Sequence, residues 1–266
     1  MIRLDMLGTL ALRGADGRES RPVLAQPKRL GLLVYLAIET RFHRRDELFS
    51  LFWPELSQAQ ARQSLRQSLY FLRRELGEHV VANRGAEEIG VAADALHCDV
   101  VEFLALAGEG RLEEALALYR GDLLAGFFVS DASTDFEQWL DGTRARLRTR
   151  AIEAAWTLAD ADARDGRLTE ATRWARWAAR LAPLDERSLQ RLVSLLDQQG
   201  DRAGALRAYN EFAERLNAEL EVEPSCETRA LADSVRRRDE PSQSATPDDP
   251  EDAPRTMPAA ATVRPD

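Results

Sequence analysis

Residues 57–76, SQAQARQSLRQSLYFLRREL, constrain this chain more than any other stretch. At about 100° per helical residue, Leu65, Leu69, Leu72 and Leu76 fall on one narrow stripe. Ala61 and Ser68 lie beside it as small residues that permit close packing. Such a stripe is a core face. The opposite arc gathers Arg62, Gln63, Arg66, Gln67, Tyr70, Arg73 and Arg74 and holds no acid; Glu75 lies nearer the buried side. Guanidinium, amide and phenol groups are the ones that contact base edges and phosphates from a helix. Two readings stand side by side: a nucleic-acid recognition helix, or a solvated face in an arginine-rich chain.

The surroundings favour the first. Residues 2–12 and 18–24 read as short extended segments separated by turn residues Gly14, Asp16 and Gly17, an N-terminal hairpin or small sheet. Pro27 precedes a buried helix over 28–39, with Leu30, Leu33, Val34 and Ala37 at helical spacing. A second helix over 44–52 stops at Trp53-Pro54, because proline disfavours helix in the residue before it. Ser57 and Gln60 have the spacing of a capping box, and Gly77 is a stop signal. Val80 and Val81, then Ile89 and Val91, make the arms of a hairpin with Asn83-Arg84-Gly85 as its turn. Strands, three helices, then a hairpin is the order of a winged helix-turn-helix, in which the third helix enters the major groove. Arg84 at the hairpin tip is positioned for a phosphate or the minor groove.

Charge supports a division. Of 266 residues, 1–98 hold 14 Arg and Lys against 12 Asp and Glu, a net of +2, while 99–266 hold 22 against 33, a net of −11. That asymmetry fits a nucleic-acid module joined to one that touches only protein. From residue 99 to 238 the pattern is helical. The pieces 110–115, 166–171 and 200–205 share Gly-x-x-x-x-Ala, and the last two begin 34 residues apart. That is the tetratricopeptide period, in which each unit is a helix pair unable to bury its face alone. The irregular stretch 122–135 is expected to pack across the repeats, and Trp139, Trp156, Trp174 and Trp177 to lie in the repeat core. Residues 239–266, rich in Pro, Ser, Ala and Asp, read as a disordered acidic tail or linker. The fold class is therefore mainly α: a winged helix-turn-helix over 1–98, an all-α tetratricopeptide-like domain over 99–238, and that tail.

Catalytic signatures are not found. There is no GxxxxGK[ST], GxGxxG opening a helix, GxSxG or HExxH. His43, His79 and His97 lack ligands at metal-binding spacing, and Cys98 and Cys226 are far apart without CxxC spacing. No enzyme activity, metal or cofactor is expected. The N-terminus does not read as a signal peptide and no apolar run reaches membrane-spanning length, so the expected localisation is cytoplasmic. A DNA-binding regulator and a protein-only scaffold with a winged-helix cap both remain compatible with these patterns.

PKRLGLLVYLA, DELFSLFWPE and ARQSLRQSLYFLRRELG resemble the OmpR-type winged helix of the SARP class of bacterial regulatory activators. CDVVEFLAL, GRLEEALALYRGDLLAGF and FEQWLDGTRARL resemble the bacterial transcriptional activation domain (BTAD) that accompanies it. The resemblance implies a transcriptional activator that binds promoter direct repeats as side-by-side protomers and contacts RNA polymerase and its sigma factor. Carried to this sequence, it places base reading on Arg62, Gln63, Arg66, Gln67 and Tyr70, and backbone contacts on Arg73, Arg74 and Arg84. The turn 53–57 matches the segment that meets polymerase in the wider family, although Trp53 itself is expected to be buried.

Overall fold

The computed structural model describes residues 1–237 apart from 93, 130 and 131; the expected tail over 239–266 lies outside the described residues. The chain opens with β1 (Ile2–Asp5) and β2 (Ala11–Arg13), paired antiparallel with Leu4 opposite Leu12. The expected arm over 18–24 is met only at its start, where an Arg13–Glu19 β-bridge and Ser20 N donating to Leu12 O (2.8 Å) bring the chain back against β2; residues 21–24 turn helical instead. There, Pro22 in the first turn favours helical backbone, and Val23 N and Leu24 N donate to Ser20 O, closing α1 (Arg21–Leu24).

The next elements are α2 (Pro27–Glu39), β3 (His43–Arg44), α3 (Arg45–Phe52) and α4 (Gln58–Leu76). They are followed by β4 (Val81–Arg84), β5 (Glu88–Val91) and β6 (Leu96–Cys98). β3, β5 and β4 form one antiparallel sheet in that order. β6 instead joins β1 in parallel, with Ile2 opposite Leu96. On α4, Ala61, Leu65, Ser68, Leu69, Leu72 and Leu76 are buried, as the stripe predicts. Each of its leucines contributes about 1.5–3 kcal/mol by leaving water.

The remainder is helical: α5 (Asp99–Gly108), α6 (Leu112–Leu118), α7 (Thr134–Arg164), α8 (Leu168–Leu181), α9 (Glu186–Gln199), α10 (Arg202–Leu220) and α11 (Cys226–Arg237). Gly110, Gly166 and Gly200 all have φ between +76° and +85°, in the turns before α6, α8 and α10. Glycine takes that conformation without the steric cost of a side chain. The alanine five positions later in each piece, Ala115, Ala171 or Ala205, is fully buried. The repeated Gly-x-x-x-x-Ala pattern is therefore a helix-hairpin device: the glycine reverses the chain and the alanine lets the returning helix approach.

One continuous set of buried side chains runs from Ile2 to Val235. The segment after α6 joins the two halves. Gly8 N donates to Asp122 O (3.2 Å), Leu124 N donates to Met6 O (3.0 Å), and Leu7 bridges Leu123. Arg144 of α7 holds this strap from behind, Nε donating to Leu123 O (2.9 Å) and Nη2 to Leu124 O (3.0 Å). The expectation that 122–135 packs across the repeats is corrected: its long-range backbone bonds go to the Met6–Gly8 backbone that follows β1, and to α3, where Ser133 N donates to Leu51 O. Trp139 is corrected in the same way. Its ring lies 4.8 Å from Tyr35 of α2, and its Nε1 donates to Glu39 Oε1 at 2.7 Å. Phe136 meets Phe52 of α3 at 4.9 Å. Asp99, at the start of α5, is 4% exposed, and its Oδ2 accepts from Met6 N (2.7 Å) and Leu7 N (2.9 Å).

Candidate nucleic-acid interface

α4 is the site's main element. Ser57 precedes it, with Gln60 Oε1 accepting from Ser57 N (3.1 Å) and the Ser57 hydroxyl (2.7 Å), which fixes the first turn. Burying the leucine stripe against α1, α2 and α3 turns the other face outward. Arg62, Gln63, Arg66 and Gln67 are exposed, and Tyr70 is 66% exposed, a large ring left in water. Two turns of one helix thus present two guanidiniums, two amides and a phenol with no carboxylate among them. Arginine and glutamine make paired hydrogen bonds to guanine and adenine edges in a groove wide enough for a helix.

The three arginines expected on the backbone are placed differently from one another. Arg73 is half-buried, with Nη2 donating to Val81 O (3.1 Å) and Nε at 3.4 Å from the same oxygen, so it fastens α4 to β4. Arg74 donates to Glu75 Oε1 (2.6 Å from Nη2) and lies 5.4 Å from the Phe71 ring centre. Arg29 of α2 lies 4.3 Å over that ring. Arg84 is not in the turn. It is the last residue of β4, opposite Glu88, and donates to Glu88 Oε2 at 2.5 Å. It also lies 4.8 Å over the ring of Phe42. The turn falls on residues 85–87 because Gly85, at φ +66°, takes the left-handed position after the pair. The Arg84–Glu88 hydrogen bond raises the arginine's pKa and lowers the glutamate's.

Arg45 belongs to the same surface and was not singled out from sequence. Its Nε donates to Ala86 O (2.8 Å) and its Nη2 to Asn83 Oδ1 (3.2 Å), bolting the N-terminus of α3 to the hairpin. Burial lowers its pKa; Glu87 opposes this, while Arg73, Arg66 and Arg62 lower it further. Four guanidiniums from two helices thus share one positive field beside the wing. The adjacent pair Arg44-Arg45 at the helix start was the only local sign of it.

The histidines are less isolated than the sequence implied. His43 is fully buried with Nδ1 3.6 Å from Glu47 Oε2, and His97 Nε2 lies 3.1 Å from Glu102 Oε2. Burial lowers the His43 pKa and pushes the Cys98 thiol up to about 11. Among the described residues no three His, Cys, Asp or Glu side chains gather as a metal site. No helix among them is long and apolar enough to cross a membrane. Trp53 is 8% exposed and packs beside Phe52, so in the turn 53–57 the exposed apolar groups are Pro54 and Leu56.

Residues 98–236 match the family described as bacterial transcriptional activator domain. The chain belongs to that family. This bacterial transcriptional activator domain protein is also 28% identical over 258 residues to Regulatory protein AfsR of Streptomyces griseus, an alignment covering 90% of the chain. The chain spans about a quarter (25%) of that relative's length. Its fold is similar to that of Mycobacterium tuberculosis EmbR, solved in complex with a low affinity phosphopeptide. The TM-score is 0.59 at 23% identity, covering 90% of this chain and 66% of that one. The SARP-type architecture expected from the sequence motifs, a winged helix-turn-helix followed by a helical repeat-like domain, is the architecture observed.

Proposed function

We propose that the protein is a sequence-specific DNA-binding transcriptional regulator of the SARP type, acting as an activator at promoter direct repeats. The observation that carries this reading is the outward arc of α4: Arg62, Gln63, Arg66, Gln67 and Tyr70 exposed without an acid. In this reading those five side chains read bases, with residues 1–98 as the DNA-binding module. Arg74 and Arg45 supply positive charge to the phosphates on either side. Arg73 and Arg84 act first as structural ties, of α4 to β4 and across the hairpin, and meet the backbone as part of that frame. Residues 99–238 form the activation domain. The turn 53–57, with Leu56 and Glu55 outward, faces RNA polymerase and its sigma factor, and protomers associate side by side on DNA.

The test is selection of bound fragments from genomic DNA by the full chain, followed by a mobility-shift titration against salt. The expected outcome is an enriched repeated half-site and a log-log salt slope of roughly −0.9 per phosphate neutralised. Absence of any binding to duplex DNA at low salt would leave a protein-only scaffold as the better reading.

A further inference from the structure

We infer that the groove between α8 and α10 is a receptor for an acidic peptide segment of a partner protein, with an apolar residue between its acids. The groove encloses about 280 Å³. Its floor is apolar, made by Leu189 and Leu192 of α9 and Phe212 of α10. Arg176 and Arg180 of α8 stand on one lip, and Arg207 and Arg215 of α10 on the other, all four exposed. The surrounding helices make this concentration unusual. Residues 99–237 hold 19 arginines against 26 Asp and Glu, a net of −7, so the groove is a positive island on a negative body.

The chain already displays the chemistry at one end. Asp201 caps α10 through Gly204 N (2.8 Å). Its two oxygens also face both lips, Oδ2 at 3.1 Å from Arg176 Nη2 and Oδ1 at 4.0 Å from Arg207 Nη2. One carboxylate is thus read by both lips together. Further along the same helices, Arg180 and Arg215 have no ion-pair partner among the described residues. Asp185 has its carboxylate committed to capping α9, at Arg187 N (3.3 Å) and Ser188 N (3.1 Å). Glu211 is the one acid left on the α10 lip.

Guanidiniums bind carboxylates through charge-assisted, often bidentate hydrogen bonds. The apolar floor separating the lips wants an aliphatic or aromatic side chain rather than a sugar-phosphate backbone. An acid–apolar–acid segment satisfies both, whereas a nucleic acid leaves the floor unused.

The experiment pans a random dodecapeptide display library on the full chain, with the Arg180→Glu, Arg215→Glu double variant as counter-target. Circular dichroism establishes that the variant is folded; both substitutions are at exposed positions. The expected enrichment is for acids flanking a Leu, Phe or Trp. The best sequence, synthesised with a fluorescein label, should bind the wild-type chain and lose at least about tenfold in affinity on the variant, since each charge-assisted pair is replaced by a like-charge contact. Replacing the peptide's apolar residue by Ser should weaken it comparably. Enrichment without acids, equal binding to the variant, indifference to the Ser replacement, or displacement of the peptide by a random DNA duplex with the α4 arginines replaced would each overturn the inference.

Discussion

Asp99 is the residue on which the joint between the two halves can be tested most sharply. Its buried Oδ2 accepts the amides of Met6 and Leu7, while Oδ1 has no hydrogen-bond partner among the described residues. Asp99→Ala orphans two buried N–H groups at about 1–3 kcal/mol each, so about 2–6 kcal/mol in all. At 2–4 °C per kcal/mol for a chain this long, the melting temperature should fall by roughly 5–20 °C. Asp99→Asn keeps one oxygen able to accept both amides and should cost far less. The pair also separates hydrogen bonding from charge. Burial raises the Asp99 pKa despite the two amides. The folded carboxyl therefore holds its proton to higher pH than the unfolded one. Stability is favoured at low pH and lost as pH rises from about 4, the ordinary aspartate value, through the raised folded value. Asparagine cannot ionise, so the stability of Asp99→Asn relative to wild type should increase over that window and level off above it. Urea denaturation of the three proteins at a series of pH values measures this. A difference between Asn and wild type that is flat or declines with pH, or an Ala variant as stable as Asn, refutes the account of the clamp.

Other substitutions test neighbouring parts of the argument. Gly8→Ala should destabilise by at least about 2 kcal/mol, because φ is +97° and a Cβ would stand 2.9 Å from the backbone of Arg120 and Gly121; a wild-type thermal melt would contradict the strap's tight seating. Trp139→Phe keeps the ring against Tyr35 but removes the donor to Glu39, a charge-assisted bond of about 1.5–3 kcal/mol, readable by chemical denaturation. Arg66→Ala should weaken specific over nonspecific DNA binding by roughly 1–3 kcal/mol while Arg74→Ala weakens both about equally; competition titrations with the selected site and a random duplex distinguish them, and equal losses on both duplexes for both variants would remove Arg66 from base reading.

What was legible in the sequence was whatever a single turn or helix period decides. The leucine stripe of α4, the Ser57–Gln60 cap and the glycines opening α6, α8 and α10 each depend on neighbours within a few residues. The pairing of β1 with β6 joins residues about 94 apart, and nothing in either short strand names its partner. The strap after α6 was conspicuous as a motif, but its meaning lay in Met6–Gly8, a hundred residues earlier. Trp139 was read as repeat core because large aromatics in helices are usually buried by their own repeat. Its indole instead needed Glu39, which a helical wheel does not place. Arg45 escaped because an arginine at a helix start looks like solvent-facing charge, and only the folded hairpin shows what it holds. The acid-free arc was visible as composition. Which of its arginines are fasteners depended on Val81 and Glu75, and what Arg84 holds on the hairpin depended on Glu88.

If the chain reads DNA as proposed, the shared core has a consequence for spacing on a promoter. Two modules joined by a flexible linker adjust their separation, and a regulator built that way tolerates extra base pairs between half-sites. Here α4 is seated against α2 and α3, and these against Phe136 and Trp139 of α7, with no linker between them. These contacts couple the orientation of the exposed α4 arc to that of the helical body. With about 10–10.5 base pairs per turn, one inserted base pair would rotate a neighbouring protomer by roughly 35°, and the packing of α2 and α3 on α7 would oppose a compensating turn. Under the proposed DNA-binding function, phase along the double helix, rather than distance alone, would then set which promoters the chain accepts.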